Sequence, residues 1–412
     1  MKKTLRRLLA CLLLCALLPL TGCGAQSRDL MRGVTPQPLS AKADLDDHNA
    51  AVTDFALRLL RACEDGENNT VLSPLSVLCA LGMTVNGAEG ETKQQMEAVL
   101  GMSAQELNGY LAAYLRALPQ GDKCKLHTAN SIWLTEDERF TVEPDFLQTN
   151  ADYYGADIYA APFDDSTVRE INRWVKNNTH GMIDKVLQTI PDDAVMYLIN
   201  ALAFEAEWMD IYEKYQVCDG IFTREDGAEV NAELMYSDEH LYLACDSATG
   251  FLKRYKDGKY AFAALLPREG VSVTDCLASL DGETLHQMLS APQQATVYTA
   301  IPKFETECSV ELADILQAMG MRDAFDPDRA DFGGLGSSTD GSVHISRVVH
   351  KTFLSVAEKG TRAGAATMVA VADGAAAPQE PKEVYLDRPF ICLLVDMENA
   401  VPFFMGTVMD VG

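Results

Sequence analysis

Hydrophobic side chains in the first quarter of the chain recur with the spacing of α-helices. From residue 52 they stand at i, i+3, i+4, i+7, i+8 and i+11, namely at Val52, Phe55, Ala56, Leu59, Leu60 and Cys63. This spacing predicts an amphipathic helix. Ser73 and Pro74 then open a second helix, with Ser73 as the N-cap. Residues 75–85 are apolar on nearly every side, so this helix should be buried. A third helix is expected over 91–100, ending at Gly101.

Extended apolar runs take over in the second half of the chain. Strands are expected over residues 126–134, 195–208, 260–266, 295–301, 390–396 and 403–409. Two further helices are expected over 168–178 and 310–319. Helices that come first and strands that come later indicate an α+β fold rather than the alternation of a doubly wound sheet. We find no internal repeat and no convincing linker after residue 47, so residues 47–412 are expected to form one domain.

The first 46 residues have the pattern of an export signal followed by a tether. Basic side chains at 2, 3, 6 and 7 precede an almost wholly apolar stretch over 8–20, as in a secretory signal peptide. Leu20-Thr21-Gly22-Cys23 resembles the lipobox of bacterial lipoproteins, in which Cys23 would carry the lipid. An ordinary signal peptide cut nearby is the alternative. We therefore expect a signal peptide over 1–22 and a lipid anchor with a flexible tether over 23–46. The protein would be exported and lipid-anchored on the outer side of the bacterial cell membrane, or released outside the cell.

Composition narrows the class of partner. The chain has 412 residues, with 34 Lys and Arg against 60 Asp and Glu, for a net charge of −26. An acidic excess of this size disfavours nucleic acid and anionic membrane surfaces as partners. Eight cysteines follow Cys23 at irregular spacings and without a C-x-x-C pair. This favours small buried thiols over zinc ligands or a disulfide framework, although export would allow two of the cysteines to pair.

No catalytic motif stands out. The sequence contains no G-x-S-x-G, H-E-x-x-H or phosphate-loop motif, and its seven histidines have no metal-ligand partner at helical spacing. We therefore predict no enzyme activity, no metal and no cofactor, while a peptidase triad assembled in space would escape such a search. Four basic side chains at 253, 254, 256 and 259 are expected in a solvated hairpin.

Residues 358–378 carry the most information. This stretch follows an apolar strand over 353–357, consists mostly of small residues and lacks a helical period. A flexible linker and an Ala-rich helix are two plain interpretations, but a linker normally separates domains, and three glycines interrupt the helix. In a strand, one face would consist only of small side chains, namely Thr361, Ala363, Ala365 and Thr367. Such a face can slide between two existing strands without overpacking the core, so the segment suits entry into a sheet.

At this segment the chain resembles the serpin family, and the resemblance extends over about residues 47–412. The hinge of the serpin reactive-centre loop is matched by Glu358, Lys359, Gly360, Thr361, Ala363, Ala365, Ala366 and Thr367. The polar cluster that the family calls the shutter is matched by Ser73, Ser76, Asn200 and His350. Trp208 matches the breach tryptophan. Further matches, in family order, are Thr128-Ala129-Asn130-Ser131-Ile132-Trp133, Ile301-Pro302-Lys303-Phe304, Asp387-Arg388-Pro389-Phe390 and Phe403-Phe404-Met405-Gly406.

The resemblance implies an α+β serpin fold and a protease inhibitor. In this fold a helical cluster packs on a large, mainly antiparallel sheet with smaller sheets, and a reactive-centre loop is exposed. The function implied is suicide inhibition of serine proteases. The protease cuts the loop and forms an acyl-enzyme, the loop inserts as a new strand, and the active site of the protease is distorted before deacylation. The partner would be that protease, bound covalently to a monomeric protein that binds no nucleic acid and reaches the membrane only through its lipid anchor.

The reactive bond is expected within a six-residue segment, Ala372, Asp373, Gly374, Ala375, Ala376 and Ala377. Counting from Glu358 by the usual spacing of the family reaches Gly374, whereas counting back from Pro389 reaches a position nearer Pro378. None of the six residues is basic, and their small side chains suit an elastase-like or subtilisin-like protease. Asp373 leaves an Asp-directed protease as an alternative. The alternative function is a non-inhibitory serpin-fold surface lipoprotein that binds a ligand or partner, and a peptidase is third.

Overall fold

The computed structural model describes residues 27–39, 45–118, 120–121, 124–136, 140–191, 193–338, 343–361 and 380–412. Its helices, numbered in chain order, are α1 (Asp46–Cys63), α2 (Pro74–Val85), α3 (Gly90–Leu100), α4 (Ala104–Ala117), α5 (Pro144–Tyr154), α6 (Asp165–Asn178), α7 (Val273–Ser279), α8 (Gly282–Ser290) and α9 (Ala313–Met319). Short 3-10 turns lie at Lys214–Gln216 and Asp323–Phe325. The three helices predicted in the first quarter of the chain are confirmed as α1, α2 and α3.

The strands form two large sheets and one small one. The central sheet has the order β1 (Arg28–Asp29), β6 (Asp157–Ala161), β4 (Cys124–Thr135), β7 (Met196–Glu207), β16 (Gly360–Thr361), β15 (Arg347–Ala357) and β13 (Phe304–Glu311), with β3 (Gln120–Gly121) beside β4. The second sheet has the order β17 (Lys382–Tyr385), β12 (Gln293–Pro302), β9 (Glu229–Ala244), β10 (Ala248–Arg254), β11 (Tyr260–Pro267), β18 (Phe390–Asp396), β19 (Val401–Val408) and β2 (Thr70–Leu72), with β8 (Val217–Thr223) beside β9. Strands β5 (Phe140–Val142) and β14 (Gly336–Ser338) pair with each other.

Helix α2 lies at the centre of the fold. All twelve of its residues are buried, because it packs against β4 and β7 of the central sheet and against β19 of the second sheet. Its N-terminus is capped by Ser73, whose hydroxyl accepts the backbone N–H of Ser76 at 3.3 Å. Pro74 occupies the first turn, where it sacrifices no hydrogen bond. The prediction of a fully buried helix is confirmed, and its capped end can contact both sheets.

Helix α6 covers the opposite face of the central sheet. Asp164 caps it by accepting the backbone N–H groups of Ser166 and Thr167. Its apolar stripe belongs to a core cluster of its own, whose members include Val168, Ile171, Val175, Trp133, Tyr197, Ile199 and Val349. Strands β4 and β7 are therefore enclosed between α2 and α6.

One predicted helix is shorter than expected. The pattern over 310–319 predicts a helix, but Val310 and Glu311 are the last residues of β13 and pair with His350 and Val349. Helix α9 begins after them, at Ala313. The ladder to β15 decides this boundary, because strand pairing with a neighbour outweighs the weak local helix preference.

Part of the predicted tether is packed against the domain. Strand β1 pairs antiparallel with β6, and the backbone N–H of Ser27 donates to Glu170 Oε2 of α6 at 3.0 Å. The tether predicted over 23–46 is therefore wrong for residues 27–39, since the open edge of β6 offers the backbone partners that a strand needs. The signal peptide over 1–22 and the lipid on Cys23 lie outside the described residues and stay predictions.

The eight cysteines after Cys23 are free thiols in this structure. Cys79, Cys124, Cys276 and Cys392 are buried, whereas Cys218 is exposed on β8. Burial raises the pKa of Cys79 and of Cys392 to about 12, so these thiols stay protonated and unreactive. Within the described ranges, no helix is long and apolar enough to cross a membrane, and no group of three or more His, Cys, Asp or Glu is placed to hold a metal ion.

Candidate functional site

Strands β7 and β15 are joined in the middle of the central sheet and separate toward one end. From Tyr197 opposite Arg347 to Leu202 opposite Thr352, they form a parallel ladder. Beyond it, the two-residue strand β16 lies between them and pairs antiparallel with both. Between the ladder and β16, no described strand pairs with the facing edges of 203–204 on β7 and 354–355 on β15. The sheet therefore has room for one more strand, continuous with β16.

The turn that leads from β15 into β16 is held by Trp208 and Tyr212. The backbone N–H of Trp208 donates to the carbonyl oxygen of Lys359 at 3.0 Å, and its indole Nε1 donates to the carbonyl oxygen of Ala357 at 2.9 Å. The backbone N–H of Tyr212 donates to the carbonyl oxygen of Glu358 at 2.9 Å. Three successive carbonyl groups are thus bound by the chain that follows β7, so the turn has a fixed position at the mouth of the gap.

An aromatic stack positions both Trp208 and Thr361. Trp208 is fully buried and stacks on Tyr255, with ring centroids 4.6 Å apart and planes at 7°. The hydroxyl groups of Tyr255 and Thr361 lie 2.6 Å apart. Burial raises the pKa of Tyr255 well above its ordinary value, so the phenol stays protonated and able to donate. The small side chain of Thr361 is therefore received by a shaped, hydrogen-bonding surface.

An ion pair adds to these contacts at the surface. Lys303 Nζ lies 2.9 Å from Glu358 Oε1 and 2.8 Å from Glu233 Oε2. The hydrogen bond from Lys303 is the main reason that the pKa of Glu358 is lowered. The side chain of Glu358 is 39% exposed, so solvent weakens this pair to about 0–1 kcal/mol. The backbone bonds and the aromatic stack, rather than the ion pair, hold the turn.

The side chain of Lys253 is buried, which corrects the solvated hairpin expected around it. Residues 248–267 do form a hairpin, but Lys253 Nζ lies 2.7 Å from Glu239 and 4.4 Å from the centre of the Tyr212 ring. Burial opposes the charge of Lys253, but Tyr212 and Glu239 outweigh burial and hold its pKa above the ordinary value. A buried ammonium needs such partners, and here they place its charge 5.6 Å from the centre of the Trp208 ring.

Ser73, Ser76, Asn200 and His350 meet where β7 and β15 are still joined. His350 Nε2 accepts the backbone N–H of Ser73 at 2.9 Å, so its Nδ1 carries the proton and donates to Asn200 Oδ1. Asn200 and His350 are directly opposed in the ladder. The hydroxyl of Ser76 donates to Asn130 Oδ1 on β4 at 2.9 Å. The structure thus brings the four predicted residues into one cluster that links three strands of the central sheet to the capped end of α2.

Sequence reasoning did not identify Tyr212, Tyr255 and Asn130 as members of these clusters. No local motif marks the two tyrosines, and Asn130 is found only through the register that places it opposite Asn200. Of the predicted hinge, Glu358 and Lys359 form the turn and Gly360 and Thr361 form β16. The remaining predicted positions lie outside the described residues and stay predictions; they are Ala363, Ala365, Ala366, Thr367, Ala372, Asp373, Gly374, Ala375, Ala376 and Ala377.

Comparison with known proteins agrees with this arrangement. The family described as Serpin (serine protease inhibitor) matches residues 50–411, and the chain belongs to the serpin family. The thermophilic serpin tengpin in its native state is 44% identical, with a TM-score of 0.89 over 94% of this chain and 100% of that chain. Tengpin in its latent state is 40% identical, with a TM-score of 0.78 over 92% of this chain and 100% of that chain.

More distant relatives share the same fold. A serpin-like protein of Thermococcus kodakarensis is 29% identical over 87% of this chain and 85% of its own length. Human thyroxine-binding globulin, solved with its thyroid ligand, is 24% identical, with a TM-score of 0.78 over 89% of this chain and 99% of that chain. The last similarity concerns the fold alone. The predicted family and the predicted α+β serpin fold are confirmed.

Gly360 has no room for a side chain, and this generates the first prediction. Its φ is +146°, and a Cβ atom would lie 2.0 Å from the carbonyl oxygen of Ala206. We predict that Gly360→Ala withdraws β16 from the sheet and frees the amides of Trp208 and Tyr212. Hydrogen–deuterium exchange over 206–212 should then accelerate on the order of tenfold. Gly270→Ala is the control, because Gly270 also has positive φ, +80°, but a Cβ there meets nothing within 4 Å. Unchanged exchange over 206–212 in Gly360→Ala would contradict the prediction.

The second prediction concerns His350 and pH. Burial lowers the pKa of His350 from 6.5 to about 3, and Nε2 already faces an N–H donor that a second proton would oppose. Between these two values the unfolded chain binds a proton that the folded chain refuses, so stability falls as pH falls, by up to about 1.4 kcal/mol per pH unit. We expect wild type to lose stability relative to His350→Gln as pH is lowered from 7 to 4.5, measured by urea unfolding. His240→Gln, at an exposed position on β9, controls for loss of a histidine. A constant difference between wild type and His350→Gln across this range would refute the assignment.

Proposed function

We propose that this serpin inhibits serine proteases by inserting its cut reactive-centre loop into the gap between β7 and β15. The observation that supports the proposal is β16, which supplies the first two residues of such a strand with a defined register. Gly360 lies opposite Glu207 and Ala357, and Thr361 lies opposite Ala206 and Val356. Continued in this register, residues 362–364 would fall opposite residues 203–205 of β7 and 353–355 of β15.

Deeper insertion would have to break the ladder between β7 and β15. Each broken pair would be replaced by two, one on each side of the new strand, and a backbone hydrogen bond contributes about 0.5–1.5 kcal/mol net. In the continued register, residue 367 would arrive opposite Asn200 and His350. Insertion is therefore downhill but passes through the polar cluster, so the native form would be a kinetic trap.

The sequence of the loop fits this path. Thr361 is 1% exposed and faces Tyr255, so alternation directs residues 363, 365 and 367 toward the same buried face. These are Ala, Ala and Thr, which need little desolvation and little space. Glu358 and Gly374 are 16 positions apart, so at about 3.3 Å per residue the extended segment spans about 50 Å. This length exceeds that of the twelve-residue strand β7.

The target proposed is an elastase-like or subtilisin-like serine protease that cuts within residues 372–377. These residues are small and none is basic, so they suit a shallow specificity pocket and disfavour a trypsin-like one. A cut in this segment would leave the whole stretch from Thr361 available for insertion.

The proposal is tested by mixing the protein with elastase-type and subtilisin-type proteases. Denaturing gels should show a covalent adduct, and mass spectrometry of the released peptide should locate the cut bond. Cut protein should unfold at a temperature higher on the order of 20 °C, because of the new ladder bonds. Cleavage without an adduct would support the non-inhibitory alternative. An unaltered unfolding temperature after cleavage would rule out insertion.

A variant at Thr361 separates insertion from cleavage. Thr361→Arg would place a charge in the buried site beside Tyr255, which opposes insertion by a few kcal/mol or more. We expect the loop to be cut at an unchanged rate while the adduct is lost, so the variant acts as a substrate. Lys359→Arg is the matched control, because Lys359 is exposed in the turn, and it should inhibit like wild type. A stable adduct formed by Thr361→Arg would count against the proposed path.

A further inference from the structure

Exposed large hydrophobic side chains are concentrated in one part of the molecule. Among the described residues they are Met209, Tyr215, Ile221, Tyr236 and Tyr298. All five lie on the connection between β7 and β8 or on strands β8, β9 and β12 of the second sheet. Isolated exposed apolar groups are ordinary, but their clustering on one part of a surface is typical of an interaction site.

Strand register places two of these tyrosines in a compact patch. Tyr236 of β9 and Tyr385 of β17 both lie opposite Ala300 of β12, and Asp238 and Glu383 both lie opposite Tyr298. We call Tyr236, Tyr298, Tyr385, Asp238 and Glu383 the tyrosine–carboxylate patch. The rings of Tyr236 and Tyr385 meet edge-on with centroids 6.3 Å apart. Partial burial, and then Glu383, Tyr236, Tyr298 and Asp238, raise the pKa of Tyr385, which agrees with their mutual proximity.

The chemistry of the patch favours a cation. Both carboxylates are exposed, and the charges of two nearby basic side chains are directed to other groups. Lys382 lies over the Tyr242 ring, 5.9 Å from its centre, and Lys253 is paired with Glu239. Tyrosine faces attract ammonium and guanidinium groups, and adjacent carboxylates add charge-assisted hydrogen bonds. A cavity of about 510 Å³ is lined by four patch residues and also by Lys253, Glu239 and Asp210. The three carboxylates at 210, 238 and 239 outnumber the one ammonium, so the cavity is net negative and gives a long basic side chain room to enter.

The patch lies close to the expected site of proteolysis. Strand β17 begins five residues after Ala377, and five residues span at most about 18 Å. A protease domain of about 220 residues has a radius of gyration of about 17 Å. A protease engaged with residues 372–377 would therefore have surface within reach of β17 and the patch.

We infer that the tyrosine–carboxylate patch is a docking surface for the target protease, and that it binds Lys or Arg side chains beside the active-site cleft of that protease. The inference rests on the proposed function and adds a criterion for the target: small residues in the loop select the specificity pocket, while the patch selects a basic rim. Complementary charge of this kind acts mainly on the rate of encounter.

The test measures association separately from inhibition. Proteases whose catalytic serine is replaced by alanine are used, so that neither cleavage nor insertion follows. One is an elastase-type protease with a basic rim, and the other is a subtilisin-type protease with an acidic rim. For the basic-rim protease, the double variant Asp238→Asn/Glu383→Gln should associate about five- to tenfold more slowly at low salt, and the difference should shrink at 0.5 M salt. Association with the acidic-rim protease should not slow.

Matched variants separate docking from folding and from net charge. Glu67→Gln/Asp314→Asn removes two exposed charges on other elements and should leave association unchanged. Tyr298→Ala should slow association with the basic-rim protease, whereas Tyr298→Phe, which keeps the ring, should retain it. All variants should unfold at the temperature of wild type.

Two results would overturn the docking surface. One is that wild type and the double variant associate with the basic-rim protease at the same rate, or that neither of them associates with it. The other is a wild-type dimer that Asp238→Asn/Glu383→Gln dissociates, which would assign the patch to a second copy of this chain. Failure of the proposed function has a different signature, because active protease would then form no adduct while the difference in association rate persists.

Discussion

The two-residue strand β16 is the constraint on which the central sheet depends. It pairs with β7 on one side and with β15 on the other, so it keeps the two strands apart at one end while they are joined at the other. Gly360 permits this close approach, since any larger residue would collide with the backbone of β7. Trp208 and Tyr212 bind the carbonyl groups of the preceding turn. These contacts would thereby set the register of the residues that follow Thr361 in the proposed strand.

The aromatic site around Trp208 and the polar cluster around His350 act on the same two strands in different ways. At the first, a small residue is received by a buried stack that stays in place. At the second, hydrogen bonds between side chains and the cap of α2 tie the closed strands together. In the proposed insertion, the backbone ladder would be remade around a new strand, but these side-chain bonds would first be lost. The polar cluster would therefore raise the barrier to insertion, whereas the aromatic site would fix the position at which the inserted strand begins.

Much of the fold was predictable because its signals are local. Ser73-Pro74 and an all-round apolar run define α2. Alternating small residues mark the segment that is proposed to enter the sheet, of which Gly360 and Thr361 form β16. The polar cluster was found only through family resemblance, since Ser73 and His350 are 277 positions apart and no spacing rule connects them. Tyr255 carries no motif, and its role appears only when its ring is found stacked on Trp208. The end of β13 and the position of residues 27–39 depend on neighbouring strands, which local patterns do not report.

The outer margins of the central sheet also bear on its behaviour. Strand β1 covers the margin at β6, and at the other margin β13 carries outward-facing Glu305 and Glu307, a charge pattern that discourages pairing with foreign chains. Both features oppose the addition of a foreign strand at the outer edges of the sheet, whereas the proposed mechanism adds a strand of the same chain between β7 and β15. Protected outer edges would therefore limit aggregation in a molecule whose proposed function requires a sheet that accepts one more strand.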